Sequence, residues 1–247
     1  MRGMKNKKLK AILSITGYFL LVLAICISGS IVFHNTYYEL VYVSGSSMYP
    51  NLNGDDEEQD GSIVDFGILD KHQSAIKNIK RFSIVSTYYF DDYDANDSLI
   101  PNSKQKIKRV IAMPNETFKI KDSKLYVLKD GEFEYIEYPF KISPDVDEYY
   151  QGKDVYEYTL KEDEYWVIGD HRDKSRDCGT FHRPIKQSYI IGVLVAIEGS
   201  AELKITDYSC SKCGSVYKNN GTCSKCGISL DPVYDLANKK YHWPKFY

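Results

Sequence analysis

The sequence predicts a mainly β protein: a coiled antiparallel sheet set behind one transmembrane helix and followed by a small cysteine-rich module. Three observations carry this expectation. Ala11 to Phe33 holds no charged residue. After it come many short runs rich in β-branched and aromatic residues, separated by turn residues, with little helical periodicity. Near the end stand two Cys-x-x-Cys pairs. The domain boundaries expected from these changes of composition are 1–34, 35–199 and 200–247.

The first element is a membrane anchor. An apolar stretch of this length can cross a hydrocarbon core of about 30 Å. Arg2, Lys5, Lys7, Lys8 and Lys10 precede it, whereas His34 to Leu40 carries only Glu39. That asymmetry places the N-terminus inside and the remainder outside. A cleavable leader would have a shorter apolar core, about 7 to 15 residues, so an uncleaved anchor is expected. The rest of the chain is polar. It has 247 residues in all, 27% of them charged, with a mean hydropathy of −0.40. A net charge of −2 gives no electrostatic case for nucleic acid as a partner. The 22 tyrosines suit pleated strands, and some suit a membrane interface.

Strands follow in order. Tyr37 to Val43 delivers Ser44-Gly45-Ser46-Ser47 to a turn, and Asn53 to Gly61 reads as an acidic solvated loop. Further strands are expected at Ser62–Phe66, Phe82–Phe90, Lys106–Ala112, Glu116–Lys121, Lys124–Val127, Glu132–Tyr138, Glu164–Ile168 and Ile190–Glu198. Asp-Ser before Lys124 and Asp130-Gly131 before Glu132 are the turns between them, and Asp91 to Ser103 reads as an exposed loop.

Three blocks bear chemistry. Ser47-Met48-Tyr49-Pro50 offers a serine in a turn. A serine hydroxyl attacks at neutral pH only if something takes its proton. Five histidines are present, none in a recognisable Ser-His-Asp arrangement. Lys108, flanked by Ile107, Val110 and Ile111, is the alternative, because burial disfavours the ammonium form. The third block is Gly169-Asp170-His171-Arg172-Asp173-Lys174-Ser175-Arg176-Asp177.

In this order the blocks resemble the bacterial type I signal peptidases over roughly residues 5 to 198. The resemblance implies a Ser-Lys dyad with Ser47 as nucleophile and Lys108 as general base, and no cofactor for catalysis. It implies that the Ser175 hydroxyl orients the lysine amine. Asp170, Arg172, Asp177 and Arg109 become supports, with Arg109 or Arg172 as the partner of Asp177. The substrates implied are exported preproteins cut after small residues in the Ala-x-Ala manner, at the plasma membrane. The Ser47 backbone N–H is the natural oxyanion donor. Some relatives add a serine two places before the nucleophile, where this chain has Gly45; Ser44 and Ser46 are the possible substitutes. Cys178-Gly179 replaces the usual Ser-Arg, with Cys178 read as a buried filler. Asn115 stands where glycine is common and must supply the turn that glycine gives more easily. Met48 and Tyr49 are open to two readings, lipid contact or packing. A self-cleaving Ser-Lys protease and a silent, anchored binding protein are the alternative functions.

Beyond the resemblance, Cys210, Cys213, Cys223 and Cys226 have the paired spacing of a zinc ribbon. Zn²⁺ would be structural there, and the ribbon could receive a protein partner. Two disulfides are the competing arrangement, which an extracytoplasmic location favours.

Overall fold

The computed structural model describes residues 2–54, 62–94, 96, 98–100, 103–121, 124–143 and 156–247. The chain divides into two compact units, Met1–Glu39 and Leu40–Tyr247. Most of the acidic loop expected at 53–61 and the Asp-Ser turn before Lys124 lie outside the described residues.

The first unit is essentially one helix, α1 (Arg2–Tyr37). Its window Thr16–His34 has a mean hydropathy of 2.2 and is long and apolar enough to cross a membrane. Side chains such as Phe19, Leu20 and Ile25 are exposed around it, as lipid-facing positions require. Two of its hydroxyls bond to the helix backbone: Ser28 Oγ donates to Ile25 O at 3.1 Å and Thr36 Oγ1 to Val32 O at 2.7 Å.

The division falls within β1 (Tyr38–Tyr42), and the second unit continues with β2 (Ile63–Asp70), α2 (Gln73–Lys77), β3 (Ile84–Thr87) and β4 (Lys106–Ala112). Next come β5 (Thr117–Lys121), β6 (Lys124–Lys129), β7 (Glu132–Ile136), β8 (Tyr156–Thr159) and β9 (Glu164–Ile168). The last elements are α3 (Cys178–Phe181), β10 (Ile185–Lys186), β11 (Ile190–Ser209), β12 (Val216–Tyr217) and β13 (Asp231–Phe246). Among the described residues, one sheet runs β1-β2-β11-β3-β4-β9-β10, with β12 and β13 also on β11, and a second runs β7-β6-β5-β8. The pairings among β2 to β13 are antiparallel. The fold is therefore mainly β and antiparallel.

Two apolar clusters fix the strands around Ser47 and Lys108. The larger packs the four-stranded sheet against β4 and β9 around Trp166, Phe118, Val110 and Leu125. The smaller joins Val43, Met48, Leu52, Ile84, Leu194 and Ile197. Met48 is fully buried there, so it is core and not a lipid contact, whereas Tyr49 stays exposed. Asn115 adopts φ +64°, the left-handed turn asked of it. Asp92, in the segment expected to be an exposed loop, is buried; it accepts from Tyr89 N at 2.7 Å and pairs with Lys106 Nζ at 2.5 Å.

The tail departs most from expectation. β11 continues through residue 199 without a break and reaches Ser209, and β13 folds back along it from Ser209↔Asp231 to Ala196↔Phe246. The boundary expected at 199/200 falls inside one strand. Cysteine-bearing turns sit at the far end of this ribbon, not on a separate body.

Candidate active site

Ser47 sits in a single 3-10 turn, Ser46–Met48, at the end of β1. Buried Met48 nails the turn to the smaller core, and Tyr49 N closes it by donating to Ser46 O at 3.0 Å. Gly45, just before it, has φ 72° and ψ 162°. That region is essentially open to glycine alone, which explains why no serine stands there.

β4 brings Lys108 beneath this turn. Strand alternation sends Lys108 and Arg109 to opposite faces, and both are buried. Lys108 Nζ donates to Ser47 Oγ at 2.7 Å and to Ile107 O at 2.9 Å. Burial pulls the amine down from 10.5 to about 8; the Asp177 carboxylate works against this and Lys106 with it. The neutral form of Lys108, which can accept a proton, is thereby within reach near neutrality.

On the other face Arg109 meets Asp170. Arg109 Nε and Nη2 donate to the two carboxylate oxygens at 2.8 and 2.6 Å, and Nη1 donates to Phe82 O at 3.0 Å. Phe140 covers the guanidinium, 4.0 Å from ring centroid to Cζ. Asn51 donates to Asp170 Oδ2 at 2.9 Å and to Lys141 O at 2.6 Å. Asn51 was not among the residues expected at the site; its one sequence signal is its place beside the block that carries Ser47.

The strand end at Gly169 holds the nucleophile turn directly. His171 N donates to Ser47 O at 3.0 Å, and His171 Nδ1 lies 3.1 Å from Ser46 O. A Cβ on Gly169 would strike Ser175 Oγ and Ser47 O, so only glycine allows this approach. Ser175 is buried beside Gly169, yet its hydroxyl has no hydrogen-bond partner among the described residues and does not reach Lys108. Arg172 Nη1 donates to Gly169 O at 3.0 Å.

Among the described residues, Asp177 bonds to neither arginine suggested for it. Its oxygens accept backbone N–H groups of Gly169 at 2.8 Å and Gly179 at 3.0 Å, the second capping α3. The Gly169 and Gly179 N–H groups thus hold this carboxylate without an arginine side chain. Cys178 is buried, accepts from Val167 N at 3.4 Å, and burial pushes its thiol well up. It is inert packing.

Ser47 and Lys108 open onto a cleft of about 1030 Å³. Its lining includes Val41, Ile107, Leu203 and Val233 together with charged groups such as Asp92, Lys104 and Lys106.

Away from the cleft, the Sγ atoms of Cys210, Cys213, Cys223 and Cys226 lie within 4.8 Å of one another, an array that could hold a metal ion. Each pair forms a tight turn closed by a glycine at positive φ, Gly214 at 69° and Gly227 at 70°. Gly214 N donates to Cys210 O at 2.7 Å and Gly227 N to Cys223 O at 2.9 Å. The Tyr217 hydroxyl, 3.3 Å from Cys223 Sγ, draws that thiol down to about 6.

Known proteins resemble this chain. The family described as Signal peptidase, peptidase S26, matches residues 14–197. Signal peptidase I V of Bacillus subtilis (strain 168) is 32% identical over 156 residues, which cover 62% of this chain and 80% of that protein. A solved signal peptidase I from Enterococcus faecalis V583 is 22% identical, covering 47% of this chain and 97% of that one with a TM-score of 0.35.

Proposed function

The chain belongs to the signal peptidase family, peptidase S26, and from that premise we propose that it is a membrane-anchored endopeptidase that removes signal peptides from exported preproteins through Ser47 and Lys108. The observation that carries the reading is the 2.7 Å contact between a buried, depressed lysine and the serine hydroxyl.

The chemistry is acyl transfer. Neutral Lys108 takes the Ser47 proton as Oγ bonds to the scissile carbonyl carbon, giving a tetrahedral oxyanion near the Ser47 N–H. The intermediate collapses, the C–N bond breaks, and the Lys108 ammonium protonates the departing amine. Lys108 then takes a proton from water as the water oxygen attacks the ester. Breakage of the C–O bond frees the signal peptide's carboxylate, and Ser47 recovers its proton. Asp170, Arg109 and Asn51 position the strand ends around this pair, while Asp177 and Arg172 fix the loop at Gly169. The substrate backbone is expected to lie extended in the cleft, with small side chains beside Ser47.

Topology follows from charge. The basic residues at the N-terminal end of α1, before its apolar stretch, remain in the cytoplasm and the unit from Leu40 onward works outside, at the plasma membrane. The tail cysteines fit structural zinc. Tetrahedral Zn–S bonds of about 2.3 Å place sulfurs about 3.8 Å apart, and Cys213 and Cys223 stand at 3.6 Å. Bound there, the ion would cross-link the two turns.

The deciding experiment is cleavage of a preprotein with an Ala-x-Ala site by the detergent-solubilised protein, beside Ser47→Ala and Lys108→Met. Cleavage lost in both variants supports the dyad. Cleavage that survives Lys108→Met assigns the base elsewhere.

A further inference from the structure

The match to the signal peptidase family ends at residue 197, yet the cleft that holds Ser47 and Lys108 is walled partly by residues beyond it. Leu203 belongs to the extension of β11, and Pro232, Val233 and Tyr234 to the start of β13. Val233 and Tyr234 are half-buried, as side chains lining a groove are.

The local backbone is built to present them. Tyr234 pairs with Ile205 and Val233 with Asp207, so a register shift in β11 falls opposite the two cleft-lining residues Val233 and Tyr234. Such irregularities bend a strand and re-aim its side chains, and they concentrate beside functional sites. Thr206, the extra residue, anchors the irregularity by donating Oγ1 to Val233 O at 3.3 Å. Just before this stretch, Leu230 is buried against Cys210 and Cys223 and donates its N–H to Gly221 O at 3.0 Å. The cysteine cluster therefore holds one end of the wall and the sheet holds the other.

We propose that Val233 and Tyr234, with Leu203 and Pro232 beside them, form a substrate subsite that takes an apolar side chain of an extended polypeptide at a distance from the scissile bond. The inference rests on the peptidase reading and adds to it a selectivity that the family-matched residues do not encode. A cleft of about 1030 Å³ exceeds what two small side chains next to Ser47 would fill. Charged groups such as Asp92, Lys104 and Lys106 line the same cleft, but Leu203, Pro232 and Val233 offer apolar surface, so this stretch favours an aliphatic or aromatic residue over a charged one.

The test uses the full-length protein in detergent and a peptide series with one Ala-x-Ala site and a single leucine moved stepwise along an otherwise polar sequence. For wild type, kcat/KM should peak at one leucine position by about tenfold. The double variant Val233→Ser/Tyr234→Ala should lose that peak, and Tyr234→Phe should keep it. Independently, the Ser47→Ala protein is irradiated with the same peptides carrying a photoreactive phenylalanine in place of leucine. Cross-links should map to 232–234 for the preferred position. A peak that survives the double variant, or cross-links that map elsewhere, overturns the subsite. Cross-links at 232–234 without cleavage by wild type would leave the groove standing and remove the peptidase reading. Absence of both removes the two together.

Discussion

Asp170 holds the Arg109 guanidinium through both carboxylate oxygens, at 2.8 and 2.6 Å, one residue along β4 from Lys108. Both groups are almost wholly shielded from water. The pair ties the end of β9 to β4 and fixes the strand that aims Lys108. Removing one partner leaves a buried charge without compensation. Asp170→Ala is expected to lower stability by about 3 to 5 kcal/mol, read from denaturant unfolding. A loss below about 1 kcal/mol would mean the pair contributes little to this fold.

Activity should climb with pH. Lys108 acts as a base only when neutral, and burial brings its amine down to about 8. The rate constant kcat/KM is therefore expected to rise roughly tenfold per pH unit below about pH 8 and to level off above it. A profile flat from pH 6 to 10 would point to another base.

The same burial has a stability consequence with a definite sign. The folded-state value of Lys108 lies below its unfolded value, near 10.5. Between about pH 8 and 10.5 the unfolded chain binds more protons, so this group's contribution to stability rises with pH across that window. Lys108→Met should consequently be more stable than wild type near pH 7, with the gap narrowing toward pH 10.5. Its cleavage rate should fall about 10³-fold or more. Paired unfolding curves at pH 7 and 10 check the sign.

Gly169→Ala should damage the site without replacing either residue of the dyad. Its Cβ would meet Ser175 Oγ and Ser47 O, one of them backbone, so the nucleophile turn must move. The expected result is a fall in kcat of about 100-fold, since small misplacements of reacting groups cost that much. The measurement is steady-state cleavage together with thermal unfolding, to separate misplacement from loss of fold.

Zinc should be present at one ion per chain by elemental analysis of the purified protein, and Cys223→Ser should abolish it. If the four tail cysteines are instead oxidised and metal-free, two disulfides close the turns.

The strands with dense β-branched and aromatic residues were legible in the sequence. Lys106–Ala112 and Glu164–Ile168 appear with the bounds expected. β13 was not, because Asn238, Lys239, Lys240, His242 and Pro244 give it no alternating pattern. It is a strand because β11 offers it an edge, which is long-range information. α2 and α3 are too short for periodicity to register. Within the site, Ser47 and Lys108 announced themselves by type and order, and the structure brings them into hydrogen-bond contact. The partners of Asp177 were hidden because backbone N–H groups carry no residue signature. Asn51 was hidden because a single asparagine looks like any turn residue.

The return of β13 along β11 also protects an edge. From Ala196 to Ser209 one side of β11 is occupied by β13. A chain ending after Ser209 would leave that long row of N–H and C=O groups open, a template for joining edge to edge with other copies. The tail is thus a guard against self-association as well as a wall, and shortening it should show first as loss of solubility.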